Sequence, residues 1–170
     1  MRYIDFDGVI LDTEDLLFYE WRRNPNHHYL PEEDKVLYVK NSDWRYIINN
    51  SPIINDSIYL LKNMDSSNSA ILTKIHSMRE GCEKIIYLRE HGIQQNVILV
   101  PYPAEKIDVV RPKKEDILID DNLRNLSDWH SLGGYPMFFD RDNTNTDSWG
   151  IYNSNGYQRV RKIDEIIKRK

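Results

Sequence analysis

Asp5, Asp7, Thr73, Lys106, Asp120 and Asp121 are the residues of this chain best suited to chemistry. Each stands at or just beyond the end of a short apolar run. If those runs lie side by side, their ends deliver four carboxylates, a hydroxyl and an ammonium to one crevice. Carboxylates gathered in this way repel one another unless a cation or protons intervene. Hard oxygen donors select magnesium over a soft metal, so Mg²⁺ is the implied cofactor. No pair of His or Cys has zinc-ligand spacing around these positions.

The runs are Tyr3-Ile4 into Asp5, Ala70-Ile71-Leu72 into Thr73, Val97 to Val100 into Pro101, Ile117 to Ile119 into Asp120, and Met137 to Phe139 into Asp140. They are continuous rather than alternating, which is the pattern of strands buried on both faces of a parallel sheet. Ligands of open parallel sheets bind outside the carboxyl ends of the strands, so the residues just past each run should converge. Helical spacing fills the connections. Ser77 to His91 places Met78, Cys82, Ile85, Ile86 and Leu88 on one side and stops at Gly92. Asp56 to Met64 carries Ile58, Leu60 and Leu61, and Leu123 to Leu132 carries Leu126, Trp129 and Leu132 before Gly133-Gly134. The expected fold is α/β, a three-layer Rossmann-like parallel sheet with its core in residues 1–13 and 52–170.

Residues 14–51 break this rhythm and read as a small helical cap inserted after the first strand. They hold Phe18, Tyr19, Trp21, Tyr29, Tyr38, Trp44 and Tyr46. Such rings could stack on a nucleobase, or pack on one another to hold a small insertion together. Arg22, Arg23, His27 and His28 are open to substrate contact or to a solvated loop. Asp140 to Asn155 reads as a surface loop. Val160, Ile163, Ile166 and Ile167 predict an amphipathic terminal helix with a solvated basic face.

The string Asp5-Phe6-Asp7-Gly8-Val9-Ile10-Leu11-Asp12-Thr13 resembles the first motif of the haloacid dehalogenase (HAD) superfamily, DxDGxxxDT. Ile71-Leu72-Thr73 is similar to its second motif, and Ile117-Leu118-Ile119-Asp120-Asp121 to its fourth. The third motif is a lysine, for which Lys106 stands first, with Lys113 and Lys114 as rivals. Asp120-Asp121-Asn122 followed by Asn125 and Trp129 is most similar to the 5'(3')-deoxyribonucleotidase-like branch. Asp12-Thr13 instead resembles the sugar-phosphate mutase and phosphatase branch.

This resemblance implies a Mg²⁺-dependent phosphomonoester hydrolase acting on a small phosphorylated substrate, with a nucleotide or deoxynucleotide set ahead of a sugar phosphate. Asp5 would attack phosphorus and form an aspartyl phosphate. Asp7 would protonate the leaving oxygen and then take a proton from the hydrolytic water. Thr73 and Lys106 would bind the nonbridging oxygens; Thr73 could equally cap the following helix. The metal would be held by Asp5, the backbone carbonyl of Asp7, and one or both of Asp120 and Asp121. Gly8 would permit the tight turn that aims Asp7 inward.

Composition sets outer limits on these readings. A chain of 170 residues, 40% hydrophobic and 29% charged, suits one domain with a modest insertion. No apolar run approaches the roughly 20 residues that cross a bilayer. Met1 passes straight into Arg2-Tyr3-Ile4-Asp5, without a secretory leader pattern. Lone Cys82, read as a small apolar residue on a helix, forms no internal disulfide, so a cytoplasmic setting is expected. A formal net charge of -4 speaks against a stable nucleic-acid partner. Two other classes compete: a phospho-accepting signalling module, which also gathers acids, Thr and Lys around magnesium, and a catalytically silent binding protein that keeps the fold.

Overall fold

The computed structural model describes residues 1–23, 25–141 and 156–166. Its strands are β1 (Arg2–Ile4), β2 (Ser69–Ile75), β3 (Asn96–Pro101), β4 (Ile117–Asp120), β5 (Tyr135–Phe139) and β6 (Gln158–Val160). They form one six-stranded sheet in the order β3-β2-β1-β4-β5-β6, with every pairing parallel. The apolar runs are continuous because alternate residues feed two different cores. Ile4, Ile71, Ile119, Met137 and Phe139 pack on one face, and Leu72, Leu118 and Phe138 on the other.

Helices cover both faces. The first core takes Ile58 and Leu61 from α5 (Ser57–Lys62) and Tyr87 and Leu88 from α6 (Met78–Glu90). The second takes Leu123, Leu126 and Trp129 from α8 (Leu123–Ser131), with Ile107 of the short α7 (Lys106–Val109) against it. Helix α6 starts where the Ser77 hydroxyl accepts the Glu80 N–H at 3.2 Å, and it stops before Gly92, whose φ of 72° suits a glycine. Asn122 caps α8 by accepting the Arg124 N–H at 2.9 Å. The Trp129 indole N–H donates to the Asp116 carbonyl at 3.2 Å, and its ring meets Tyr3 edge-on with centroids 5.1 Å apart. No helix of the described residues is long and apolar enough to cross a membrane.

Between β1 and α5 lie α1 (Glu14–Leu17), α2 (Tyr19–Arg23), a 3₁₀ turn at His27–Tyr29, α3 (Glu32–Asn41) and α4 (Trp44–Asn50). Helix α4 packs against α6, and Trp44, Ile47 and Ile48 join the first core. Internal packing accounts for several of this segment's rings. Tyr38 stacks on Phe18 at 6.5 Å, meets Trp21 at 5.1 Å, and donates its hydroxyl to the Leu17 carbonyl at 2.8 Å. Tyr19, Tyr29 and Tyr46 are exposed. Arg22 and Arg23 pair with Asp15 and Glu20 at the surface.

Two expectations need correction. The inward face of α6 consists of Glu80, Gly81, Lys84, Tyr87 and Leu88, whereas Met78, Cys82 and Ile86 are exposed. A partnered ion pair has taken the place that hydrophobicity alone assigns to Met78 and Ile86. The tail from Gln158 is not helical at its start. Val160 completes β6, bonding through its carbonyl to the Asp140 N–H at 2.9 Å, and Ile163 begins a 3₁₀ turn ending at Ile166. The sheet edge left by β5 offers unpaired backbone groups, and pairing them outweighs helical spacing. The expected surface loop falls largely on residues 142–155, and the end of the tail on 167–170, both outside the described residues.

Candidate active site

Strand register brings the chemistry-bearing residues to one end of the sheet. Ile4 sits opposite Ile119 on β4 and opposite Ile71 on β2, so Asp5 stands beside Asp120, and Thr73 lies two residues beyond the same rung. The order reverses between β1 and β4, the crevice where open α/β sheets bind ligands. All six sequence-predicted residues meet there, in two adjoining groups.

The first group is acidic. One carboxylate oxygen each from Asp5, Asp120 and Asp121 lies within 4.8 Å of the others. Lys106, 2% exposed, places its ammonium 2.8 Å from Asp5 Oδ1 and 2.6 Å from Asp120 Oδ2. Asp120 is fixed further by the Asn125 side-chain amide at 2.9 Å and the Asn122 N–H at 2.8 Å. Lys113 and Lys114 are exposed, and the lysine in contact with the carboxylates is Lys106. Gly8 has φ of 74°, and a Cβ built on it would fall 2.0 Å from Asp121 Oδ2. The turn therefore needs glycine for its backbone and for the space that Asp121 occupies.

The second group centres on Asp7. Its Oδ1 accepts the Thr13 hydroxyl at 2.7 Å, and its Oδ2 lies 2.5 Å from the Lys84 ammonium and 3.5 Å from the Thr73 hydroxyl. Lys84 is wholly buried, and Glu80 accepts from it at 2.8 Å. Burial alone would lower the Lys84 pKa, but the carboxylates of Asp7 and Glu80 overcome this and raise it. Lys84, Glu80 and the partnership of Thr13 were missed in the sequence, where a lysine within a helix reads as solvated. The available signal was Glu80 four residues before Lys84, beside the small Gly81 and the apolar Tyr87 and Leu88.

Above both groups opens a cleft of about 870 Å³. The segment between β1 and α5 lines it with Phe18, Lys35, Val36 and Trp44, and later parts of the chain with His76, Tyr102, Glu105 and Arg124. His76 and Tyr102 stack 5.3 Å apart, and Glu105 pairs with both Lys74 and Arg124.

The donor set fits a divalent cation. Three carboxylates against one ammonium leave an excess of two negative charges, and all the donors are oxygen. Burial, with Asp120 and Asp7 nearby, pushes Asp5 up to about 7 against the pull of Lys106. Burial, then Asp120 and Asp5, raises Asp121 well above the ordinary carboxylate range. An acid whose pKa is higher folded than unfolded binds protons more tightly in the folded state. Metal-free stability is therefore expected to fall as pH rises from about 4 towards and through 7. In EDTA the melting temperature should drop between pH 5 and pH 7.5. Mg²⁺ at a hundred times its Kd should restore about 2.7 kcal/mol, which is roughly 5–10 °C for a chain of this length. Thermal unfolding with and without Mg²⁺ checks this, and indifference to the metal at pH 7.5 would sink it.

No family profile and no curated protein matches this sequence. Solved structures do match its shape. A D,D-heptose 1,7-bisphosphate phosphatase from Burkholderia thailandensis superposes with a TM-score of 0.58 at 10% identity, covering 99% of this chain and 98% of that one. A haloacid dehalogenase-like family hydrolase from Streptococcus pneumoniae gives 0.59 at 13% identity, with 98% and 96% covered. A putative HAD-hydrolase from Bacillus subtilis, bound to magnesium, gives 0.56 at 14% identity, with 97% and 95% covered. Over nearly its whole length, then, the chain has the haloacid dehalogenase-like fold.

Proposed function

We propose that this protein is a Mg²⁺-dependent phosphomonoester hydrolase that works through an aspartyl phosphate on Asp5. The observation that carries the reading is the meeting of Asp5, Asp120 and Asp121 around Lys106, beside Asp7 and Thr73, with Asp5, Asp7 and Asp121 lining one cleft. Both the Phe6 N–H and the Lys106 ammonium lie 2.8 Å from Asp5 Oδ1. The described contacts go to Oδ1, and in this reading Oδ2 is the oxygen that attacks phosphorus. The P–O bond to the leaving group breaks as the Asp5–phosphorus bond forms, and Asp7, which must enter this step as the carboxylic acid, hands its proton to the departing oxygen. Water then attacks the phosphorus of the aspartyl phosphate, giving up a proton to Asp7 and releasing phosphate and free Asp5. In this reading Thr73 and Lys106 bind the nonbridging oxygens. Held by Asp5, Asp120, Asp121 and the Asp7 carbonyl, Mg²⁺ would offset the repulsion between carboxylate and phosphate.

A nucleotide or deoxynucleotide is the preferred substrate. The cleft has room for more than a phosphate, and Phe18, Trp44 and Tyr102 are among the residues that line it. The sugar-phosphate alternative draws support from the heptose bisphosphate phosphatase of similar shape. Against a signalling receiver stands the strand order 3-2-1-4-5-6, where flavodoxin-like domains use 2-1-3-4-5. A panel of nucleoside monophosphates and sugar phosphates with Mg²⁺ tests the proposal. Phosphate release that EDTA abolishes is expected, with nucleotides turned over faster; inactivity across the panel would overturn it.

A further inference from the structure

Lys84 is the buried cation that the roles above leave unused. Its ammonium touches four oxygens: Asp7 Oδ2 at 2.5 Å, Glu80 Oε1 at 2.8 Å, Thr73 Oγ1 at 3.1 Å and the Lys74 carbonyl at 3.1 Å. Two of these belong to side chains proposed to touch the substrate. The other two are anchors, since Glu80 also accepts the His76 N–H at 2.7 Å and the Lys74 carbonyl belongs to β2. Rings close the remaining directions: Phe6 from the β1 turn and Trp44 of α4 each lie 5.3 Å from the ammonium. A wholly buried ammonium with this many fixed neighbours cannot wander, so whatever it holds is held in place.

We propose that Lys84 is a positioning residue for the reaction, holding the Asp7 carboxyl towards the leaving oxygen and the Thr73 hydroxyl towards the phosphoryl group. This rests on the phosphatase reading and adds to it a residue from α6 that takes no part in the acidic group around Asp5. Because Lys84 touches none of Asp5, Asp120 and Asp121, its removal should disturb proton delivery more than metal binding. The effect should therefore depend on the leaving group. An alkoxide needs a proton to depart, whereas p-nitrophenolate leaves without one.

Replacing Lys84 alone would strand Glu80, so the test combines Lys84→Met with Glu80→Gln. The pair removes both buried charges and leaves a side-chain amide oxygen at position 80 to accept the His76 N–H. With Mg²⁺ present, kcat for glycerol 2-phosphate should fall at least about tenfold more than kcat for p-nitrophenyl phosphate. The affinity for Mg²⁺, read by titration calorimetry, should stay within about twofold of the parent value. Lys84→Arg provides a second variant, which keeps the charge but changes its reach, and should show the same leaving-group dependence at smaller size. Equal losses on both esters, or loss of Mg²⁺ binding in step with activity, would overturn the proposal. Failure of the parent protein to hydrolyse either ester would instead overturn the phosphatase reading beneath it.

Discussion

Asp5→Asn is expected to remove turnover by a factor on the order of 10³ or more while the protein remains folded. The carboxamide keeps the shape of the side chain and can still accept the Phe6 N–H, but it is a poor nucleophile towards phosphorus. The stability readout separates this from general damage. Asp5 is buried beside Asp120 and Asp7 with its pKa pushed up to about 7, so as a carboxylate it opposes folding in metal-free protein at pH 8. The neutral variant should therefore melt no lower than the parent in EDTA at that pH, and Mg²⁺ should stabilise it less. Activity on the best ester of the panel, together with thermal unfolding, checks both halves. Retained turnover would dismiss Asp5 as the nucleophile; lost turnover with a collapsed melting temperature would leave only a structural role.

Lys106→Met should act on stability, turnover and metal affinity with different signs. The ammonium lies 2.8 Å from Asp5 and 2.6 Å from Asp120, in a site where three carboxylates have no other cation this close among the described residues. Breaking a buried ion pair from one side leaves charge uncompensated, which destabilises by about 3–5 kcal/mol. Turnover should drop as well, since the donor proposed for the phosphoryl oxygens is gone. Mg²⁺ should nevertheless bind more tightly, because a divalent cation enters a site with one more negative charge. Lys113→Met and Lys114→Met, at exposed positions, should change none of the three. Calorimetric titration of Mg²⁺ decides the matter, and weaker binding in Lys106→Met would show that charge balance does not govern this site.

The two halves of the candidate site were unequally visible in the amino-acid order. Asp5, Asp120 and Asp121 follow strands whose apolar residues run without interruption, and the sheet register brings such strand ends level with one another. Asn125 entered only through the family resemblance; the structure shows its amide reaching back to Asp120. Lys84 was hidden by the same logic. Hydrophobic spacing assigned the inner face of α6 to Met78, Cys82 and Ile86, but those residues are exposed while Glu80 and Lys84 point inward. The strand at Gln158–Val160 was hidden too, because a run this short takes its conformation from the edge it completes.

What the amino-acid order determined by itself was local: where strands end in acids, and where Gly8 and Gly92 allow the chain to turn. Those features depend on neighbours a few residues away, whose sterics and hydrogen bonds do not wait for the rest of the chain. Tertiary structure decided how charge is shared between distant segments. A lysine is stable inside the protein only when carboxylates from other elements surround it, so the burial of Lys84 against Asp7, 77 residues away, follows from the assembled sheet and helices together.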